Sequence, residues 1–305
     1  MHSPLSPDVG VPSHFESLDS LSLLHVPERE KPIAQLPSLL CFRDDPTNVD
    51  FHYFRQVAGY NTILGGRDVV VMLPRELEQD PNRKFPAVYM LDGENLFEAF
   101  PSRSPVPRWQ VARTCRELID KGQMEPVIIV AVFNGGKAAR EADYTHVPHP
   151  EWPSNSTGFA LNFSRFLFHQ LMPAIDALYP TEKSRAGIIG SSLGGLFSLF
   201  AMSEHRGIVS KVGALSPSLQ WDEGKLINRF EQIDRGEDIF LVAGQQESAP
   251  LRNYTSRLYH LLRGNGWNVS THFQGALDPN GSHNEISWRS QLKLVLPFLY
   301  PKLSK

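Results

Sequence analysis

Four short apolar runs, Ala87 to Leu91, Val127 to Phe133, Ala186 to Ile189 and Val212 to Leu215, follow one another through the middle of the chain. Near-continuous apolarity over so few residues leaves no polar face for water, which is the pattern of strands covered on both sides. Segments with a helical period lie between and after them. Phe163, Phe166, Leu167, Leu171, Ala174, Ile175 and Leu178 recur at steps of three and four, as do Trp288, Leu292, Val295, Leu296 and Leu299. Strand and helix therefore alternate, which predicts right-handed crossovers and an α/β fold: a mainly parallel central sheet with helices on both faces. Ile239 to Ala243 and Val269 to Phe273 continue the strand series, and Val49 to Val57 with Asp68 to Leu73 reads as an antiparallel pair joined by a turn containing Gly65-Gly66.

With 305 residues, 41% of them hydrophobic and 21% charged, the chain can bury one sizeable core. A net charge of -3 gives no basic footprint for nucleic acid, and no Lys/Arg block suggests a membrane surface. No stretch approaches the roughly 18 apolar residues that span a bilayer, and the N-terminus lacks a basic head followed by an apolar run. The expectation is a soluble, cytoplasmic protein acting on a small molecule. Cys41 and Cys115 lie far apart and outside any C-x-x-C pair, which predicts free thiols. Residues 1–37 hold six prolines and six serines without a sustained period. They are expected as an extended arm that, if ordered, would wrap the domain formed by 38–305 or a second copy of the chain.

Chemistry enters at Gly190-Ser191-Ser192-Leu193-Gly194, a G-x-S-x-G pentapeptide between the strand-like run at 186–189 and an apolar, helix-like run from Leu196 to Met202. A serine hydroxyl attacks poorly at neutral pH unless a base takes its proton and N–H groups face the developing oxyanion. A sharp strand-to-helix turn can present Ser192 in that way, with the flanking glycines leaving room for it. Partners should then lie in loops after later strands at the same sheet edge. Glu247 follows the strand at 239–243, and His283 sits in Gly281-Ser282-His283-Asn284 after the last strand. The order Ser192, Glu247, His283 is the nucleophile, acid, histidine order of α/β-hydrolases. His283 would act as general base and Glu247 would orient it. Ser191 as nucleophile, and Asp222, Asp238 or Asp278 as the acid, are the competing assignments. The Leu193 N–H is the expected first oxyanion donor, and the N–H of Gly93 or Glu94, in the loop after the run at 87–91, the second.

Several segments carry a family resemblance. Val88-Tyr89-Met90-Leu91-Asp92-Gly93 with Phe97 resembles the L-x-D-G signature of the esterase D group, which includes enterochelin esterases, feruloyl esterases and S-formylglutathione hydrolases. Gly190 to Gly195, Ser216-Pro217-Ser218 with Trp221, and His283 followed by Trp288-Arg289 agree with it. Across about residues 49–300 the resemblance implies an α/β-hydrolase fold and a cofactor-free serine esterase mechanism, with phenolic or siderophore-type esters among the substrates. An acyltransferase or a thioesterase would use the same triad, and a non-catalytic binding protein would share only the fold.

Two departures from the family pattern stand out. Where members often have R-x-x-E-Y-T-P, this chain has Arg140, Asp143, Tyr144, Thr145 and His146; where they have G-G-H-D, it has Gly281-Ser282-His283-Asn284. The segment from Asn134 to Gly158 reads as a long loop, and loops of that length in compact domains are usually functional. Arg140, Tyr144 and Trp152 from this loop, together with Trp221, are therefore expected to line the substrate pocket. His146 and His149 with Asp143 are read as loop residues, without a metal role. Asp92 is expected to hold the oxyanion loop through its backbone N–H groups.

Overall fold

The structure, a computed structural model, describes residues 16–18, 39–44, 47, 49–58, 65–100, 106–149, 157–233, 236–269 and 271–302. Strands β1 (Glu16–Leu18), β2 (Leu39–Asp44), β3 (Val49–Val57) and β4 (Arg67–Leu73) come first. A short helix α1 (Glu76–Gln79) leads to β5 (Ala87–Leu91), then α2 (Val111–Asp120) and β6 (Ile128–Val132). Three helices follow: α3 (Lys137–Tyr144), α4 (Ala160–Phe166) and α5 (Met172–Leu178), the last two joined by a π-helical turn at Leu167–Leu171. The remainder alternates strictly: β7 (Gly187–Ser191), α6 (Leu193–Glu204), β8 (Lys211–Leu215), α7 (Lys225–Asn228), β9 (Asp238–Gly244), α8 (Ala249–Gly264), β10 (Phe273–Asp278) and α9 (Glu285–Leu299).

All ten strands join one sheet in the order β1-β2-β3-β4-β6-β5-β7-β8-β9-β10. Pairing is antiparallel from β1 to the β4–β6 contact and parallel from β6 to β10. The mainly parallel sheet with helices on both faces is the one the alternation predicts, and the α/β-hydrolase fold is the one the family resemblance implies.

Successive side chains of a strand point to opposite faces, and here both faces are covered. Val69, Val71, Tyr89, Leu91, Val130 and Ile188 pack into one apolar layer under α4, α5 and α6. Val70, Met72, Val88, Met90, Ile129 and Ile189 enter the other, against α2 and α9. Helix α6 is buried from Leu193 to Met202, which explains why its sequence is apolar all round rather than on one stripe.

Two expectations are corrected. The last strand is Phe273–Asp278, not Val269 to Phe273; Val269 makes only an isolated bridge to Phe273. Among the described residues this strand has a single neighbour, and Leu277 is half exposed, so burial imposes no apolar run on it. The stretch from Asn134 to Gly158 is not structureless, because Lys137–Tyr144 forms α3 with Ala139, Ala142, Asp143 and Tyr144 buried. Of the expected arm, Glu16–Leu18 contributes the edge strand β1, paired with Leu39–Cys41, and the rest of residues 1–37 lies outside the described residues.

Candidate active site

Ser192 occupies the turn between β7 and α6 with φ 56° and ψ -121°, a backbone conformation that non-glycine residues rarely adopt. Local contacts hold it there. Its N–H donates to Leu215 O (2.9 Å), and its carbonyl accepts from the N–H groups of Leu196 and Ser218 (3.0 Å each). The turn is so tight that a Cβ on Gly190 would stand 2.5 Å from the Gly194 carbonyl, so a side chain at 190 would break it. The side chain of Ser192 is thereby lifted above the sheet at the N-terminus of α6, where unpaired N–H groups and the helix dipole favour negative charge.

His283, in the loop between β10 and α9, approaches from the side: its Nε2 lies 2.9 Å from Ser192 Oγ, and its Nδ1 lies 3.3 Å from Glu247 Oε2. Glu247 follows β9 with a fully buried side chain. Burial alone would push its carboxyl up, but donors from His283, Ser216 and the Gly244 N–H outweigh this and hold it below the usual carboxylate range. An ionised Glu247 only accepts, so His283 carries its proton on Nδ1 and offers Nε2 as acceptor to the serine hydroxyl. Asn284 begins α9 as its N-cap, accepting from the Ser287 N–H at 3.0 Å. Asparagine caps as well as aspartate does, so the departure at 284 keeps the helix start that positions His283.

The loop after β5 faces Ser192 from the opposite wall. Asp92 has φ 54°, and Gly93–Asn95 forms a 3-10 turn. A Cβ on Gly93 would meet Phe133 at 2.6 Å and the β6 backbone at 2.9 Å, so the loop packs directly on the end of β6. The carboxylate of Asp92 does not cap backbone N–H groups as expected. It binds Arg140 at two points, Nε to Oδ1 at 2.7 Å and Nη2 to Oδ2 at 2.8 Å, and accepts from Asn134 Nδ2 at 2.8 Å. Glu94 is buried beside it and accepts from the Asn134 N–H and side-chain amide. Burial, then the nearby Asp92, pushes the Glu94 carboxyl up to about 7, against the pull of Arg140 and two backbone N–H groups, its own among them. Leu193, as the first residue of α6, has no acceptor for its N–H within the helix.

Ser192, His283, Asp92, Glu94, Asn134, Lys137, Arg140 and Trp288 line one cleft of about 520 Å³. Arg140 is therefore at the site, although its charge is spent on Asp92. Tyr144 is not a lining residue: it is fully buried behind the wall, its hydroxyl accepting from the Asp92 N–H at 3.2 Å. Trp221 belongs elsewhere, on a second cavity of about 390 Å³ with His146 and Asp222, where its Nε1 donates to Val147 O at 3.0 Å. Trp152 lies outside the described residues.

The other candidates have partners of their own. Asp143 pairs with the buried Arg67, and His146 with Asp222 at 2.7 Å. Asp238 takes Lys211 and His272, and Asp278 accepts from Gln291. Among the described residues no group of three or more His, Cys, Asp or Glu side chains could hold a metal ion, and no helix is long and apolar enough to cross a membrane. Ser216, Ser218 and Asn134 had no assigned role from sequence, yet each touches a candidate residue. The Ser-Pro-Ser pattern was the available signal for the first two; nothing marked Asn134.

Comparison with known proteins gives the family and the fold. The family model described as "Putative esterase" matches residues 61–299. The chain belongs to this family. It is 27% identical over 188 residues to the ferri-bacillibactin esterase BesA of Bacillus subtilis (strain 168), a match that spans 55% of this chain and 62% of BesA. It is 25% identical over 206 residues to the uncharacterized protein YbbA of the same organism, covering 65% of this chain and 75% of YbbA. Among solved structures, an IroE-like serine hydrolase from Shewanella oneidensis superposes with a TM-score of 0.65 at 22% identity, over 81% of this chain and 79% of that one. A ferulic acid esterase does so with a TM-score of 0.62 at 20% identity, over 83% and 96%. At these identities the superpositions speak for the fold alone.

Proposed function

We propose that this protein is a serine carboxylic ester hydrolase acting through an acyl-Ser192 intermediate. The observation that carries the reading is the continuous hydrogen-bonded line from Ser192 through His283 to the buried Glu247 at the edge of a cleft. Ser192 Oγ attacks the ester carbonyl carbon as His283 Nε2 takes its proton. The tetrahedral oxyanion is met by the Leu193 N–H and by that of Gly93 or Glu94 in the loop after β5. Collapse expels the alcohol, which receives the proton from His283. Water, activated by the same imidazole, then releases the acid and restores Ser192. Glu247 stabilises the imidazolium in both halves. No cofactor takes part.

The substrate is a small ester, and within the family's phenolic and siderophore-type esters the cleft favours the uncharged ones. Its described lining holds Asp68, Asp92, Glu94 and Glu285 against Lys137 and Arg140, and Arg140 already pairs with Asp92. A strongly anionic iron tri-catecholate complex would find few free cations there. The test is intact mass after a fluorophosphonate together with hydrolysis of p-nitrophenyl acyl esters, methyl ferulate and metal-free or ferric tri-catecholate lactones. Labelling of wild type but not of Ser192→Ala, with the ferric complex the poorest substrate, is the expected result. Absence of labelling would overturn the mechanism, and a preference for the ferric complex would overturn the substrate class.

A further inference from the structure

Ser216 Oγ stands between two groups whose hydrogen-bonding roles are fixed. Trp288 Nε1 lies 3.0 Å away and can only donate; Glu247 Oε1 lies 2.5 Å away and, ionised, can only accept. The serine proton therefore has one direction, and the sequence Trp288 N–H to Ser216 O–H to Glu247 is set without ambiguity. Glu247 Oε1 also takes the Gly244 N–H at 2.9 Å, so that oxygen is held by two rigid donors and Oε2 is left pointing at His283. The same Trp288 closes the figure from the other side: its ring meets the His283 ring edge to face, with centroids 5.1 Å apart and an interplanar angle of 84°.

Ser216 is fully buried, and Trp288 is 6% exposed where it lines the cleft, so water has little access to the hydrogen bonds of the network. It also spans two strand ends and a helix, since Ser216 follows β8, Glu247 follows β9, and Trp288 lies in the first turn of α9 just after His283. A single indole thus registers α9, and with it His283, against the acid.

We propose that Ser216 and Trp288 act as one positioning unit that fixes the carboxylate of Glu247 and the ring of His283 relative to each other. The claim rests on the reading of Ser192, His283 and Glu247 as a triad. Neither residue touches the substrate carbonyl in this scheme; each acts through Glu247 or His283. Removing the Ser216 hydroxyl leaves Glu247 Oε1 on the Gly244 N–H alone and strands a buried indole N–H, so the partner of the imidazole is held less firmly. Trp288→Phe keeps a ring against His283 and removes the donor together with part of the indole volume.

The experiment measures kcat and KM for a p-nitrophenyl ester, with active sites titrated by fluorophosphonate, for Ser216→Ala, Ser216→Thr, Trp288→Phe, the Ser216→Ala/Trp288→Phe double variant and Glu247→Gln. In Ser216→Ala, kcat per titrated site should fall about tenfold to a hundredfold with KM within about twofold, and Ser216→Thr, which keeps the hydroxyl, should restore most of it. Trp288→Phe should fall by a smaller factor, and the double variant should be no worse than Ser216→Ala, because both changes break the same chain. Wild-type kcat per titrated site in Ser216→Ala, or strictly multiplicative losses in the double variant, would overturn the proposal. If Ser216→Ala does not fold, the Trp288→Phe comparison decides alone: an unchanged kcat per titrated site overturns it. Glu247→Gln separates the two readings. A drop of about 10⁴-fold there with an intact Ser216→Ala would leave the triad standing and remove the positioning unit, whereas an unaffected Glu247→Gln would remove the triad itself.

Discussion

Arg140 Nε and Nη2 meet the two oxygens of Asp92 at 2.7 and 2.8 Å, and this pair ties α3 to the loop that faces Ser192. Asp92 sits at φ 54° immediately before Gly93, so its carboxylate is the handle by which the loop is held in an unfavourable backbone conformation. Arg140→Ala should therefore lower kcat/KM by about 10²-fold, the cost of a displacement of about 1 Å at a reacting centre. Arg140→Lys should recover only part of it, because an ammonium cannot reproduce the two-point geometry. Steady-state kinetics on a p-nitrophenyl ester check this, and equal activity of the Ala and wild-type proteins would refute it.

Glu94 gives a pH signature to stability. Its carboxyl is pushed up to about 7 from an ordinary value of 4.5 by burial and by Asp92, so the folded state holds this proton more tightly than the unfolded chain does. Folding is then penalised progressively as pH rises from about 4.5 through 7, and by a constant amount above that, on the order of 3 kcal/mol. Glu94→Gln should match wild type near pH 4 and exceed it by roughly 2–3 kcal/mol near pH 8, read from urea unfolding at both values. Parallel pH curves for the two proteins would show that Glu94 does not titrate in this range.

Arg67 and Asp143 form an ion pair in which both side chains are buried, and Arg67 also donates to the carbonyls of Gly65 and Gly66. Burial raises the Asp143 carboxyl even with Arg67 beside it, so the acid depends on its partner. Arg67→Met should destabilise by about 3–5 kcal/mol, and adding Asp143→Leu should return much of that loss, because the apolar pair no longer strands a charge. Thermal and urea unfolding of the single and double variants decide the matter; an equal loss in both would point to packing around Arg67 instead.

Cys115, on α2, is buried in the apolar layer that α2 and α9 form against the sheet, and burial pushes its thiol up to about 12. At pH 8 the native protein should not yield this residue to a thiol-disulfide reagent, and denaturant should expose it with the kinetics of unfolding. Peptide mapping after labelling with and without urea follows the change, and rapid labelling of Cys115 in the native protein would contradict its burial.

Much of the fold is legible because hydrophobic pattern and burial are the same physical fact seen twice. The run at 87–91 is β5 with the same bounds, and the run at 186–189 is β7 shifted by one or two residues. The edge strand β10 was misplaced because a strand with one neighbour can carry Gln274, Leu277 and Asp278 partly in water, so no apolar run marks it. At the site, Ser192, Glu247 and His283 were found from loop position and chain order, and they lie in one line. The aromatic candidates fared differently: Tyr144 went inward and Trp221 to another cavity, since loop membership says nothing about which way a ring turns.

The amino-acid sequence by itself determined the alternation of strand and helix, the sharp turn at Ser192 and the order of its partners, because these follow from local pattern and from residues a turn demands. Tertiary structure alone decided which polar groups meet. Arg140 closes on Asp92 across 48 residues, and Trp288 reaches Ser216 across 72. Such pairs are selected by the geometry of a packed sheet edge, where a buried donor must find whichever acceptor the fold brings within about 3 Å, and no local periodicity encodes that choice.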